Sequence, residues 1–415
     1  MKRFNILLLC AFSLLFSCSN NDVEEVQVGG VIELDGSHSS IVLDDNEYGL
    51  VTQNSDFAFR LLKAVDDTID VNEKIAVSPL SLSMLLSMLA NGAEGDTYEE
   101  ILKGLGYSGY SIDEINAFNK KLLDNMPVLD KAVQTNIANA LWINKGVVVN
   151  ESFSETLSER YSAEISTLDF SQDSALGTIN DWCSKVTGGK INNLLPVLPD
   201  DQPLVLANAL YFKAPWSKHF DKVFKGKFET EDGDPQQVKY MKGTMKSRYY
   251  EFKGFAAARI EYANMAYNYT VVLPNKDVSI NDCIAKLASG ALKESPVRYA
   301  GNAILTLTMP VYDINFKMFS SGPLSTLGIN DVFSSNADFS GVGNIDKRIM
   351  DEIIHACYFS VDEYGTEGGA ASITGLLGSS TRPEEVDLVV DRPFLFFVQE
   401  QSTGVILFIG KVSKI

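Results

Sequence analysis

Histidines are sparse in this chain, and the spacing of its acid, base and nucleophilic residues suits none of the common catalytic arrangements. There are three histidines in 415 residues: His38 in a polar N-terminal stretch, then His219 and His355. No Gly-x-Ser-x-Gly elbow, His-Glu-x-x-His pair, Walker loop or Gly-x-Gly-x-x-Gly turn occurs. A Ser/His/Asp triad around His219 or His355 would need one serine promoted to nucleophile, and nothing along the chain promotes one. Carboxylates are numerous but scattered, so a glycosidase-type pair has no support either. The five cysteines are Cys10, Cys18, Cys183, Cys283 and Cys357, with no C-x-x-C spacing. The last three read as isolated buried thiols, not as a disulfide framework or a metal site. The chain therefore reads as a non-enzyme with no cofactor and no metal.

The segment that stands out carries almost no reactive groups. Residues 365–381 are Gly, Thr, Glu, Gly, Gly, Ala, Ala, Ser, Ile, Thr, Gly, Leu, Leu, Gly, Ser, Ser and Thr, with Glu367 as the one charge. Taken alone this is a flexible exposed loop, because Gly and Ser weaken every local preference. Its position argues for more. It joins two strand-like runs, 354–363 and 386–390, and is far longer than a hairpin needs, which is the habit of functional loops. Its alternate residues Thr366, Gly368, Ala370, Ser372 and Thr374 are all small and uncharged. In an extended strand they would share one face. That suits a segment able to slide between existing strands and bury that face, where a long or charged side chain would cost several kcal/mol of desolvation.

The elements around this segment define the fold class. Amphipathic periodicity predicts helices over 56–65, 78–90, 98–105 and 112–126. Strand-like runs follow at 204–212, 259–262, 270–273, 303–309, 393–400 and 405–412, so the chain is α+β. The last two runs flank Gln401, Ser402, Thr403 and Gly404, a hairpin whose second strand is core. With 45% hydrophobic residues over 415 positions the chain can bury the core of one large domain or of two ordinary ones. Its net charge of -19 opposes nucleic acid and anionic lipid head groups as partners.

The first seventeen residues, with Lys2 and Arg3 ahead of an apolar run at 6–16 too short to span a bilayer, form an export signal. Leu15, Phe16, Ser17 and Cys18 resemble a bacterial lipobox, which makes Cys18 the lipidation site and residues 18–48 an acidic polar tether to a domain at 49–415. The expected location is the bacterial outer membrane, held through lipid, and the acidic residues behind Cys18 resemble signals for exposure at the cell surface.

The segment 362–367 (Asp, Glu, Tyr, Gly, Thr, Glu) followed by small residues resembles the reactive-loop hinge of the serpin family, and Asp391, Arg392, Pro393 and Phe394 with Gly410, Lys411 and Val412 resemble its C-terminal signature. Ser78, Pro79, Leu80 and Ser81 are similar to the family's shutter motif. Asn208 to Lys213 with Trp216 and Phe220 are similar to its central strand and breach. Asn180, Asp181 and Trp182 with Thr187, Gly189, Lys190 and Ile191, and Leu327, Gly328 and Ile329 with Val332, Phe333, Ala337, Asp338, Phe339 and Ser340, match in the same order.

The resemblance implies a single serpin-like domain with a large central sheet, two smaller sheets, eight or nine helices and an exposed reactive-centre loop. It implies a hinge at Glu363, Gly365, Thr366, Glu367, Gly368, Gly369, Ala370, Ala371 and Ser372, and a structural polar cluster of Ser78, Ser81, Asn208 and His355 beneath the sheet, with Trp216 at the breach. Ordinary capping by Ser78 and Pro79, and buried roles for Asn208 and His355, would explain the same residues. The implied activity is suicide inhibition of serine, and also cysteine, endopeptidases by a monomer. The scissile bond stays open: counting from Glu363 gives Ser379 to Ser380 and an elastase-like target, counting back from Phe394 gives Arg382 ahead of Pro383, and Leu377 is a third choice. A non-inhibitory surface lipoprotein that binds a ligand on the same scaffold is the alternative. One departure is Val311, at a position where the family often places a basic partner for Glu363, which predicts a looser loop.

Overall fold

The computed structural model describes residues 24–25, 31–345, 353–367, 370–372 and 383–415. Eight α-helices occur among them: α1 Asp45–Asp66, α2 Pro79–Ala90, α3 Gly95–Leu105, α4 Ile112–Asn125, α5 Glu151–Tyr161, α6 Asp173–Val186, α7 Ile280–Ala288 and α8 Ser321–Thr326. The helices expected over 78–90, 98–105 and 112–126 are α2, α3 and α4. The first helix departs from expectation. It begins at Asp45, not near residue 56, because Asp44 and Glu47 close a capping box: the Glu47 amide donates to Asp44 Oδ1 at 2.9 Å and the Asp44 amide to Glu47 Oε2 at 2.8 Å. Ile41 and Leu43 just before it are buried, so the folded part starts ahead of residue 49.

One sheet has ten strands. Its main path comprises β1 Glu24–Glu25, β7 Lys222–Phe228, β8 Gln236–Phe252, β9 Phe255–Tyr262, β10 Tyr267–Pro274, β17 Phe394–Glu400, β18 Ile406–Val412 and β3 Ile75–Val77. Strand β11 Arg298–Pro310 branches off β8 and carries β16 Glu384–Val389 in parallel. Strand β10 is buried along its whole length and β18 likewise, which is why both read as unbroken apolar runs. Their aromatic neighbours knit the centre: Phe359 stacks on Phe396 at 4.6 Å and Tyr269 on Phe396 at 5.7 Å.

The second body of strands is divided. On one side β6 Leu204–Pro215 pairs with β4 Gln134–Asn144, which pairs with β5 Glu164–Leu168. On the other β12 Tyr312–Phe319 pairs with β13 Ile354–Val361. Among the described residues no ladder joins β6 to β13. A two-residue strand, β14 Gly365–Thr366, sits against the end of β6, and a further pair, β2 Val31–Glu33 with β15 Ala370–Ser372, lies apart from all of these.

Helix α2, wholly buried, packs against β6 and β18. Every residue of it faces protein, so a helix of Leu, Met and Ser with little amphipathic contrast is stable there though it would not be at a surface. Cys183, Cys283 and Cys357 are buried free thiols, and burial pushes Cys183 up to about 11 and Cys283 up to about 12. Among the described residues no group of three His, Cys, Asp or Glu side chains is placed to hold a metal ion, and no helix is long and apolar enough to cross a membrane.

Candidate functional site

Strand β13 leads directly into residues 362–367, the start of the candidate hinge, and Gly365 and Thr366 are fastened to the end of β6. Asp362 makes the turn: its side chain accepts from the amides of Tyr364 at 2.8 Å and Gly365 at 3.0 Å, while its own amide donates to Gly365 O at 3.0 Å. Burial raises the Asp362 carboxyl above the ordinary range. Gly365 has no alternative, because a Cβ there would meet Ala214 O at 2.2 Å. Trp216, fully buried, donates from Nε1 to Asp362 O at 2.9 Å and from its amide to Tyr364 O at 2.9 Å. Its ring stacks on Tyr262 at 4.5 Å, nearly parallel.

Glu363 is buried, and its carboxylate is met by Lys239 Nζ at 3.1 Å. This corrects the expectation of an unpartnered hinge glutamate. The cation comes from β8, and Val311, which occupies the position the family often gives to a basic residue, donates its amide to Lys239 O at 2.8 Å. The neighbouring strand supplies what position 311 lacks.

Thr366 points inward. It is 1% exposed, and its hydroxyl lies 2.5 Å from the Tyr262 hydroxyl. Glu367 points the other way, accepting from Tyr211 OH at 2.9 Å and lying 3.5 Å from Lys190 Nζ. Burial, with the bond to Glu367, pushes the Tyr211 hydroxyl up to about 12. Glu367 has a φ of +60°, a left-handed value that turns the chain out of the sheet after only two paired residues.

Beneath the divided strands the four polar residues singled out in the sequence meet in one chain of hydrogen bonds. The Ser78 amide donates to His355 Nε2 at 3.0 Å, and Ser78 Oγ caps α2 by accepting from the Ser81 amide at 3.1 Å. Ser81 Oγ donates to Asn208 Oδ1, and Asn208 Nδ2 donates to Asn139 Oδ1 at 2.6 Å. Asn139 in turn donates to Tyr161 O at 2.7 Å. Capping and the polar cluster are thus the same contacts. His355 joins β13 to this chain through Ser78. Being an acceptor, His355 is neutral, and burial lowers its pKa to about 4. The gap above contains a cavity of about 200 Å³ lined by Leu204, Leu206, Asn208, Ile354 and His355.

This architecture is shared. The profile of the family Serpin (serine protease inhibitor) matches residues 52–415. The chain is a serpin. Iripin-4 of Ixodes ricinus is 31% identical over 386 residues, covering 89% of this chain and 96% of that protein, and Serpin-ZX of Arabidopsis thaliana is 28% identical over 87% and 97%. Among solved structures, native tengpin, a thermophilic serpin, superposes with a TM-score of 0.79 at 26% identity over 93% of this chain and 97% of that one. Human thyroxine-binding globulin in complex with thyroxine gives 0.76 at 27% identity over 89% and 99%. The family is one of protease inhibitors, and it includes members that are not inhibitors.

Of the candidate hinge residues, Gly365 and Thr366 pair with the end of β6, Glu363 meets Lys239, Glu367 meets Tyr211 and Lys190, and the backbone of 370–372 pairs with β2. Gly368, Gly369, the scissile candidates Leu377, Ser379, Ser380 and Arg382, and Cys18 lie outside the described residues. Sequence reasoning missed Lys239, Tyr262 and Asn139, and it held Tyr211 only as one residue of the 208–213 run. All four sit on strands far from the hinge or the α2 cap in the chain, and no local pattern distinguishes them from other strand residues.

Proposed function

We propose that this serpin is a suicide-substrate inhibitor of an extracytoplasmic endopeptidase, serine enzymes first and cysteine enzymes by the same acyl chemistry, and that it is not itself a catalyst. The observation that carries this reading is the gap between β6 and β13, where, among the described residues, only Gly365 and Thr366 enter at its end. The protease nucleophile adds to the scissile carbonyl of the loop, the peptide bond breaks with release of its amine, and an ester or thioester joins the two proteins. The freed hinge then fills the gap before water hydrolyses that bond, carrying the protease with it. A strand added between two open edges gains ladders on both sides.

The register of β14 indicates how far insertion runs. Gly365 is opposite Pro215 and Thr366 opposite Ala214. Continued along β6, the same register sets Ser372 opposite Asn208 and Leu376 opposite Leu204, the first residue of that strand. Leu377 and Gly378 then form a short lead to the bond after Ser379. This favours Ser379 over Leu377, and a target of elastase type that accepts small residues, acting on a monomeric inhibitor.

One observation favours the second reading, a ligand-binding member without inhibition. A cleft of about 340 Å³ is lined by Phe59, Tyr250, Phe252, Leu287 and Phe397 with Arg259, and one solved relative is a thyroxine complex. The deciding experiment mixes the protein with elastase-, trypsin-, subtilisin- and papain-like proteases, resolves the products on denaturing gels and sequences the released C-terminal peptide. A complex stable in detergent with its new N-terminus at Ser380 is expected. Cleaved chain with undiminished protease activity in every case would end the inhibitory reading and leave ligand binding in its place.

Export and lipidation at Cys18, with the domain displayed from the outer membrane, belong to the same proposal and are supported by the signal-like residues 1–17. Cys18→Ala is expected to move the protein from the membrane pellet to the soluble fraction. Retention in the pellet would exclude lipid as the anchor.

A further inference from the structure

The residues expected to be a free tether are docked onto the domain along a path that ends at the loop. Working back from α1, Leu43 and Ile41 are buried, and the Ile41 amide donates to Ser402 Oγ at 2.9 Å. The Ser39 amide donates to Leu129 O at 2.8 Å, and the Gly36 amide to Asn264 Oδ1 at 2.9 Å. Asn264 is itself rigidly held, since its amide and its Nδ2 donate to the two oxygens of Asp130 at 2.8 and 2.9 Å. It sits in the turn between β9 and β10, two residues after the Tyr262 that clamps Thr366. Beyond Leu34, which packs on the core, the chain forms β2 and pairs in parallel with the loop: Val31 with Ala370, Ile32 with Ala371 and Glu33 with Ser372.

We propose that residues 31–43 are a strap that keeps the loop out of the sheet, with β2 as its releasable end. Insertion needs the backbone of Ala370, Ala371 and Ser372 opposite Leu210, Ala209 and Asn208 if the β14 register continues. An inserted strand uses both of its edges, one toward β6 and one toward β13, so the pairing with β2 must break before those residues can enter. A three-residue parallel pair outside any larger sheet is weak, which suits a latch that opens. Val31 and Ile32 are strand formers, and the docked residues behind them hold them at the loop. The strap raises the barrier to insertion and leaves the inserted state unchanged, because β2 has no part in that state. Whatever peels residues 31–33 away, a cut in the tether or a pull on it, would arm the loop. What insertion achieves rests on the inhibitory reading above. The strap pairing itself does not.

The test uses the full-length protein purified in detergent and needs no target protease. Ile32→Pro removes one strand amide and blocks the pairing, and a chain lacking residues 24–33 serves as the second variant. Hydrogen exchange at 370–372 is read first. Conversion to the loop-inserted form at raised temperature is then followed as growth of the urea-resistant band on native gels. Loss of two or so ladder bonds predicts exchange and conversion each faster by about tenfold in both variants. Unchanged exchange overturns the pairing, and faster exchange with unchanged conversion overturns the latch. Failure of the protease panel would leave both readouts intact, so the two proposals fail separately.

Discussion

Replacing Thr366 with Arg is expected to turn the inhibitor into a substrate: the protease cuts the loop at close to the normal rate, then leaves. Thr366 is already inside, 1% exposed, with its hydroxyl on Tyr262 and its backbone opposite Ala214. An arginine cannot stay under the sheet near Phe212, Trp216 and Tyr262, all buried and aromatic, so the variant holds this position outside and has to bury it only on insertion. Burying an unpaired guanidinium costs several kcal/mol, and each ~1.4 kcal/mol added to the insertion barrier slows it about tenfold. Inhibition is a race between insertion and deacylation, so even part of that cost decides it. The yield of detergent-stable complex should fall at least about tenfold, while the first-order loss of intact chain changes by less than about twofold, since the scissile candidates lie more than ten residues downstream. Full inhibition by Thr366→Arg, measured as residual protease activity, would show that insertion of this face plays no part and that the protein blocks its target by simple binding.

The second large effect is a loss of native-state stability in mild acid that His355 controls. Its Nε2 accepts from the Ser78 amide, so protonation would set a donor against a donor in a buried site. The folded pKa, about 4, is below the ordinary 6.5. A depressed folded pKa means the contribution is complete above pH 6.5 and is lost as pH falls from there toward 4. At roughly 1.4 kcal/mol per pH unit this is about 2 kcal/mol by pH 5 and about 3 kcal/mol by pH 4. Asp362 and Glu261, whose carboxyls are raised by burial, act in the opposite direction and gain in acid. Comparing the wild type with His355→Gln removes them from the result. Between pH 7 and pH 5 the wild type should lose about 2 kcal/mol more than the variant in urea unfolding. Parallel curves would mean that His355 keeps its proton balance on folding. Because this imidazole links β13 to the α2 cap, acid should also speed parting of the strands.

Much of the site was legible because its determinants are local. A run of small residues between two strand patterns marks an unusual loop from composition, the resemblance makes its start a hinge, and Thr366, on the small-residue face that alternation defines, lies buried. The Ser78 cap was equally plain, since a cap is decided by residues three apart. The start of α1 is encoded by Asp44 and Glu47, but the acidic residues around them give that stretch the composition of a linker. Isolated Ile41 and Leu43 gave no period to read.

What the sequence determined by itself was therefore the α+β class, the hinge, the cap and the family, since each depends on near neighbours or on an ordered set of motifs. Only the tertiary structure decided that Lys239 pairs with Glu363 from 124 positions away, that Tyr262 meets Thr366, that Asn139 completes the Asn208 chain and that the Gly36 amide rests on Asn264. These contacts are set by strand register and by which edges are left open. Register is a property of the assembled sheet, fixed by burial of one face across strands distant in the chain, and no single stretch of residues encodes it.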